Sequence, residues 1–168
     1  GGGKSQVGIG LALGPHERSL LLRRTAKEAG KFVGEIEDVL GSRDGFNGQR
    51  DEWRIDGKLI EIGGCQHEDD KQKFKGSPRD LYFFDELTDF SETQYKFICM
   101  WNRSTKPGQR CRIVAATNGP STPEGMWVVK RWAAWLDPAH PYPAGDGELR
   151  WYYTDEDGNE IQDTGPNE

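Results

Sequence analysis

Apolar residues recur along this chain at two periods, in runs separated by Gly, Pro and charged residues. Gln6 to Leu13 reads as a helix stopped by Gly14-Pro15. Ser19 to Arg24 is a short apolar run between charges, a candidate strand. Thr25 is placed to cap a helix from Ala26 to Leu40, with Phe32, Ile36, Val39 and Leu40 on one face and Gly41 as its stop. Glu52–Ile55 and Lys58–Ile62 flank Asp56-Gly57, a strong hairpin signal. Residues 63–76 are polar and mixed, a loop or a short helix. Leu81 to Phe84 is a buried-strand candidate ending in Asp85-Glu86. Ser91 to Asn102 reads as a helix capped by Ser91, with Tyr95, Ile98 and Trp101 or Phe97 inward. Arg112 to Ala116 reads as a second buried strand. Pro123 to Leu136 is a Trp-rich helix with Pro in its first turn. Glu148–Thr154 and Glu160–Gln162 predict a hairpin around Asp157-Gly158.

Strands alternating with helices predict an α/β fold with a mostly parallel central sheet, covered on both faces. The helical and stranded pattern runs to Asp137. Residues 138–168 are rich in Pro, Gly and acids and read as a linker or terminal hairpin. The expected organisation is therefore one α/β domain over 1–137 and a tail over 138–168.

Composition narrows the function classes. The chain has 168 residues, 34% hydrophobic and 30% charged, with six Trp, seven Phe and five Tyr to build a core. That excludes a disordered chain. No apolar run approaches the ~20 residues that span a bilayer, and no secretory signal pattern opens the sequence. Cys65, Cys99 and Cys111 stand far apart, which argues against a disulfide framework or a zinc site and fits a reducing cytosol. The net charge is −6. The last 18 residues hold six acids and no Lys or Arg, while residues 1–150 balance 22 acids against 22 bases. A protein that coats nucleic acid by charge alone has another profile, so any DNA contact is local.

Three segments carry candidate chemistry. Gly3-Lys4-Ser5 is the second half of the phosphate-loop pattern GxxxxGK[ST]. Glycines let backbone N–H groups turn around phosphate oxygens, and the helix that follows adds its positive end. In that reading Gly1, Gly2, Gly3, Lys4, Ser5 and Gln6 bind ATP. Lys4 reaches the outer phosphates and assists catalysis, and the Ser5 hydroxyl ligates Mg²⁺. The plain alternative is a flexible glycine turn. Leu81-Tyr82-Phe83-Phe84-Asp85-Glu86 has the form of a strand delivering a metal-binding Asp85 and a water-activating, catalytic Glu86 to the sheet edge. The plain alternative is a strand ending in exposed acids. Arg112–Ala116 ends in Thr117-Asn118, polar residues placed to sense the γ-phosphate and couple hydrolysis to movement. Their plain reading is a helix-capping loop. The first two segments need one another, because a hydrolysing site requires a phosphate cradle and a carboxylate for water together.

The residues also carry a resemblance. Phe84-Asp85-Glu86-Leu87-Thr88, then Phe90, Gln94-Tyr95 and Arg103, resembles the acidic-strand region of large terminase subunits of tailed double-stranded DNA phages. Ala116-Thr117-Asn118-Gly119-Pro120 followed by Pro123-Glu124-Gly125-Met126-Trp127-Val128 is similar to their coupling segment. Gly64-Cys65-Gln66-His67, Gly76 and Gly147-Glu148-Leu149-Arg150-Trp151-Tyr152 add to the likeness, which spans almost the whole chain. The resemblance implies an ASCE-type P-loop ATPase that drives viral DNA into a procapsid at the portal vertex in the host cytoplasm. Its implied ligands are ATP and Mg²⁺. Its implied partners are double-stranded DNA, the portal protein, a small terminase subunit and further copies in a ring. It also implies a strand before the phosphate loop, an arginine just ahead of its glycines and a downstream nuclease domain, none of which is expected within this sequence. A helicase-like P-loop ATPase, or a nucleotide-binding module without turnover, is the alternative.

Other residues invite weaker readings. Cys65, His67, Glu68, Asp69 and Asp70 could be drawn as a metal site, but no second Cys/His pair stands at ligand spacing. Lys71, Lys73, Lys75 and Arg79, and then Arg103, Lys106, Arg110 and Arg112, are basic runs that read as solvated faces before they read as DNA contacts. Trp127, Trp132 and Trp135 read as core or interface residues before base-stacking platforms.

Overall fold

A computed structural model describes residues 3–157, 160–163 and 165. In chain order the elements are α1 (Lys4–Leu13), β1 (Arg18–Arg23), α2 (Ala26–Ala29), α3 (Lys31–Leu40), β2 (Phe46–Asn47), β3 (Glu52–Ile55), β4 (Lys58–Gly64), β5 (Leu81–Asp85), α4 (Glu92–Cys99), β6 (Arg112–Ala116), α5 (Met126–Arg131), α6 (Ala133–Leu136), β7 (Trp151–Thr154) and β8 (Glu160–Asp163). Short 3₁₀ turns occupy Glu68–Phe74, Leu87–Asp89 and Pro123–Gly125. Contacts divide the chain into a unit Gly1–Val128 and a unit Val129–Glu168, a boundary earlier than the composition shift after Asp137.

The first unit holds a six-stranded sheet in the order β2-β3-β4-β1-β5-β6. β4, β1, β5 and β6 are parallel, and the β3–β4 hairpin and β2 are antiparallel additions. This is an α/β fold with a mostly parallel sheet flanked by helices. The sequence explains the centre. Leu20, Leu21 and Leu22 of β1, and every residue of β5, are buried, as strands covered on both faces require. Register separates two cores. Leu21 pairs with Phe83, and both join Ile9 and Ala12 of α1 and Phe32 and Ile36 of α3. Leu22 pairs with Phe84, whose ring packs edge-on against Phe90 at 5.3 Å and tilted against Tyr95 at 5.3 Å.

Several expectations change. The helix expected over 26–40 is interrupted at Gly30. Its first turn is held by a capping box between Thr25 and Glu28 and lies against the end of β4, where a Cβ on Gly64 would sit 2.3 Å from the Ala26 nitrogen. Glycine at position 30 gives the helix little reason to continue through that constraint. Val39 is 55% exposed, while α3 buries Phe32, Val33 and Ile36 and packs Leu40 against the same core. β6 is not a buried strand: it ends the sheet order and alternates half-buried with exposed residues. The Trp-rich helix is broken into a 3₁₀ turn, α5 and α6, with Trp132 at φ −107°, ψ 30° between the last two.

In the second unit β7 and β8, within the two runs read as a hairpin, pair antiparallel. Gly158 of its expected turn lies outside the described residues. Trp135 donates from Nε1 to the Glu148 carbonyl at 3.1 Å, and the Ala144 N–H donates to the Ala134 carbonyl. Among the described residues no helix is long and apolar enough to cross a membrane.

Candidate nucleotide-binding site

The parallel strands fix where chemistry collects. β4, β1, β5 and β6 all point their carboxyl ends to one edge of the sheet. From the end of β1 the chain leaves toward β4, and from the end of β5 it leaves toward β6, so the crevice between β1 and β5 is a topological switch point. The start of α1 reaches the same edge. Ten helical residues descend roughly 15 Å and the six residues of β1 return roughly 20 Å. Lys4 at the head of α1 and Arg23 at the end of β1 therefore meet where Asp85 ends β5.

A cleft of about 500 Å³ opens there, lined by Gly3, Lys4, Ser5 and Gln6 from α1 and its approach, and by Asp85 and Glu86 from β5. The Ser5 hydroxyl donates to the buried Asp85 carboxylate at 2.7 Å. The Lys4 amine bonds the Asn118 side-chain oxygen, and the Asn118 N–H donates to Glu86 at 3.4 Å. Thr117 faces a different partner: its hydroxyl lies 2.8 Å from that of Thr88. The structure thus brings Lys4, Ser5, Asp85, Glu86 and Asn118 together and ties Thr117 to the turn after β5. Gly1 and Gly2 lie outside the described residues.

Local backbone explains these placements. Gly3 precedes α1 at φ +65°, a left-handed conformation that glycine adopts without steric cost. No side chain caps α1, and its first turn holds no acid. By contrast α2 and α4 begin with the capping boxes Thr25–Glu28 and Ser91–Gln94. The leading N–H groups of α1 thus have no side-chain partner at the cleft and are open to an anion. Glu86 is the second special position, at φ +57°. In an extended strand successive residues face opposite ways. The left-handed turn at Glu86 lets Asp85 and Glu86 line one cleft, at a strain of about 1–2 kcal/mol for a residue with a Cβ.

Sequence reasoning missed half of the cleft: Arg23, Arg24, Glu28, Lys31, Glu35 and Asp89 also line it. Arg23 is central. Its Nε donates to Asp85 at 2.8 Å, and one terminal nitrogen donates to the Ser5 hydroxyl at 3.0 Å. Arg24 donates to the Cys65 carbonyl at 3.1 Å and to Gln94 at 3.0 Å. Gln94, fully buried, passes its own amide proton to the His67 carbonyl at 2.8 Å. Burial raises the Asp89 carboxyl from its ordinary value, and the neighbouring charges of Glu86 and Glu28 raise it further. With four cations facing five carboxylates, the cleft is close to neutral. Net charge would therefore not draw a phosphate into this cleft; directed donors and a bridging cation would have to hold one.

The donor set fits magnesium. A hydroxyl and a carboxylate, both hard oxygen donors, meet at one point, and a guanidinium already stands beside both as a cation.

Elsewhere the structure assigns structural roles. Among the described residues no group of three or more His, Cys, Asp and Glu could hold a metal. Burial pushes the Cys65 thiol up to about 11, so it stays protonated and unreactive near neutrality. Hydrogen bonds from Lys71, Thr93 and Ser91 hold Glu68 down at about 2. Of the basic runs, Arg79 is buried in an ion pair with Glu61, and Lys71, Lys73 and Lys106 face Glu68, Asp70 and Glu17. Trp127 is core, donating to the Phe90 carbonyl at 2.9 Å. Compared with protein-family models, with curated proteins and with solved structures, this chain matches none of them.

Proposed function

We propose that the protein is an ATPase of the P-loop type, and that its turnover drives double-stranded DNA, as in the large terminase subunits that its motifs resemble. The observation that carries the ATPase is the hydrogen bond from Ser5 to Asp85 at 2.7 Å. It joins residues 80 positions apart that were assigned separately to one metal and one triphosphate. The mostly parallel α/β sheet, the uncapped head of α1 and the left-handed Glu86 fit that chemistry.

In this reading the N–H groups after Gly3 and the Lys4 amine hold the outer phosphates, and Lys4 exchanges Asn118 for the nucleotide. Ser5 and Asp85 hold Mg²⁺, which supplies neutralising charge when bound. Glu86 takes the proton of the attacking water. Asn118, bonded both to Lys4 and to Glu86, senses the loss of the terminal phosphate. Thr117 passes the change to Thr88. There the turn before α5 packs closely, since a Cβ on Gly125 would lie 2.9 Å from the Thr88 carbonyl oxygen. The portal, the small terminase subunit, the ring and the procapsid location rest on the sequence resemblance alone.

The test is ATP turnover with and without linear double-stranded DNA. Turnover should rise with DNA, and Lys4→Ala should lower it by roughly 10²-fold or more, the usual loss on removing a charge-stabilising donor. Turnover unaltered by Lys4→Ala would place the chemistry elsewhere. Lys4-dependent turnover indifferent to DNA would keep the ATPase and remove the motor.

A further inference from the structure

Arg23 does more than line the cleft. Its guanidinium touches both oxygen donors assigned to the metal: Asp85 through Nε at 2.8 Å and a terminal nitrogen at 2.7 Å, and the Ser5 hydroxyl at 3.0 Å. It lies over the Phe32 ring, 4.2 Å from the centroid, and its other terminal nitrogen donates to the Glu28 carbonyl at 3.0 Å. Glu35 stands beside it, 3.3 Å from a guanidinium nitrogen through Oε1. The other oxygen of Glu35, Oε2, is buried with no hydrogen-bond partner among the described residues. A buried acceptor left unpaired is costly and calls for an explanation. A second position for Arg23 supplies one, because a guanidinium moved off Asp85 onto Glu35 can engage both carboxylate oxygens as a fork.

We propose, on the reading of the site given above, that Arg23 competes with the divalent metal for Ser5 and Asp85, and that Glu35 receives it when the metal binds. Arg23 holds the two ligands together and shields the buried Asp85 charge, which would otherwise stand unpaired. The metal displaces it, the freed guanidinium pairs with Glu35, and the stacking on Phe32 serves as the pivot for both positions. Arg23 is thus a positioning residue that sets how tightly the site takes its metal. Glu35 lowers the cost of that exchange.

Manganese binding to the protein, read as loss of the free-ion signal in electron paramagnetic resonance, tests this without turnover. Arg23→Gln should bind Mn²⁺ about tenfold more tightly than the wild type, within the range expected for a coupling between competing ligands. Glu35→Gln, which leaves Arg23 nowhere to go, should bind it several-fold more weakly. Arg23→Lys, which keeps the charge but lacks the planar fork and its stacking on Phe32, should fall between wild type and Arg23→Gln. Circular dichroism identifies a variant that fails to fold, and Arg23→Lys and Glu35→Gln then decide the matter. Arg23→Gln and Glu35→Gln that both leave Mn²⁺ affinity unchanged, or both lower it, would overturn the competition. If wild type then still binds a fluorescent nonhydrolysable ATP analogue in the presence of Mn²⁺, read by fluorescence anisotropy, the nucleotide site stands without it. If neither Mn²⁺ nor the analogue binds in wild type or variants, the proposed function fails and the competition with it.

Discussion

Glu86→Gln is expected to lower ATP turnover by about 10²–10⁴-fold, the range associated with loss of a positioned general base, and to leave triphosphate binding intact. The bonds that place the metal- and phosphate-binding residues, Ser5 to Asp85 and Lys4 to Asn118, do not use the Glu86 carboxylate. The Asn118 N–H that Glu86 accepts at 3.4 Å can be accepted by the amide oxygen of Gln. The substitution keeps the side-chain shape and the φ of +57° at this position, so the backbone strain is the same in both proteins. What is lost is the capacity to take a proton. Single-turnover hydrolysis together with equilibrium binding of a fluorescent ATP analogue separates the two effects. Full turnover in the Gln variant would transfer the role of base to another carboxylate of the cleft, such as Asp89 three residues on.

The second large effect is on stability, and its sign is opposite at two glycines of one helix. α1 presses so closely on β5 that a Cβ at Gly8 would lie 2.4 Å from Cδ1 of Phe83 and 2.5 Å from its Cγ. That ring is fully buried and stands edge-on to Phe32 at 6.2 Å between centroids, so it has little room to retreat. Gly8→Ala gains helix propensity of about 1 kcal/mol. The overpacking costs more, and a net loss of about 1–3 kcal/mol is expected. At Gly10 nothing lies within 4 Å of the added carbon. Only propensity operates there, and Gly10→Ala should stabilise by about 0.5–1 kcal/mol. Urea denaturation of the two variants measures both. The contrast bears on function, because α1 carries Lys4 and Ser5. A helix lifted from β5 moves Ser5 away from Asp85, and Gly8→Ala should weaken metal-dependent nucleotide binding even where the protein stays folded. Equal stability of the two variants would mean that the contact between α1 and β5 is looser than described.

Much of this arrangement is legible in the chain before any coordinates. Leu20, Leu21 and Leu22 between charges announce a strand, Leu81 to Phe84 before two acids announces a buried one, and Asp56-Gly57 announces the hairpin that widens the sheet. Thr25 and Ser91 announce helix starts, because their side chains accept a backbone N–H three residues on. What the sequence hides is what depends on which strands are neighbours. Nothing in Arg18–Arg23 says that it pairs with Leu81–Asp85, so nothing says that Arg23 reaches Asp85. The pairing arises from the crossover that places β4 on one side of β1 and β5 on the other. The residue types alone also overstate regularity. Residues 123–136 hold a helical pattern, yet the segment turns at Trp132, where its local backbone is no longer helical. Thr117 and Asn118 look interchangeable as phosphate sensors, and only the end of β6 shows that Asn118 meets Lys4 while Thr117 meets Thr88.

The account comes down to one convergence: the head of α1 and the end of β5 form a single site for a metal-bound triphosphate. Calorimetric titration of the protein with ATP, in magnesium and then in excess chelator, measures it directly. The proposed site predicts binding that requires magnesium and that is lost in both Lys4→Ala and Asp85→Asn, variants on two different elements lining the same cleft. Binding of equal strength with and without magnesium, or binding that survives both substitutions, would contradict it.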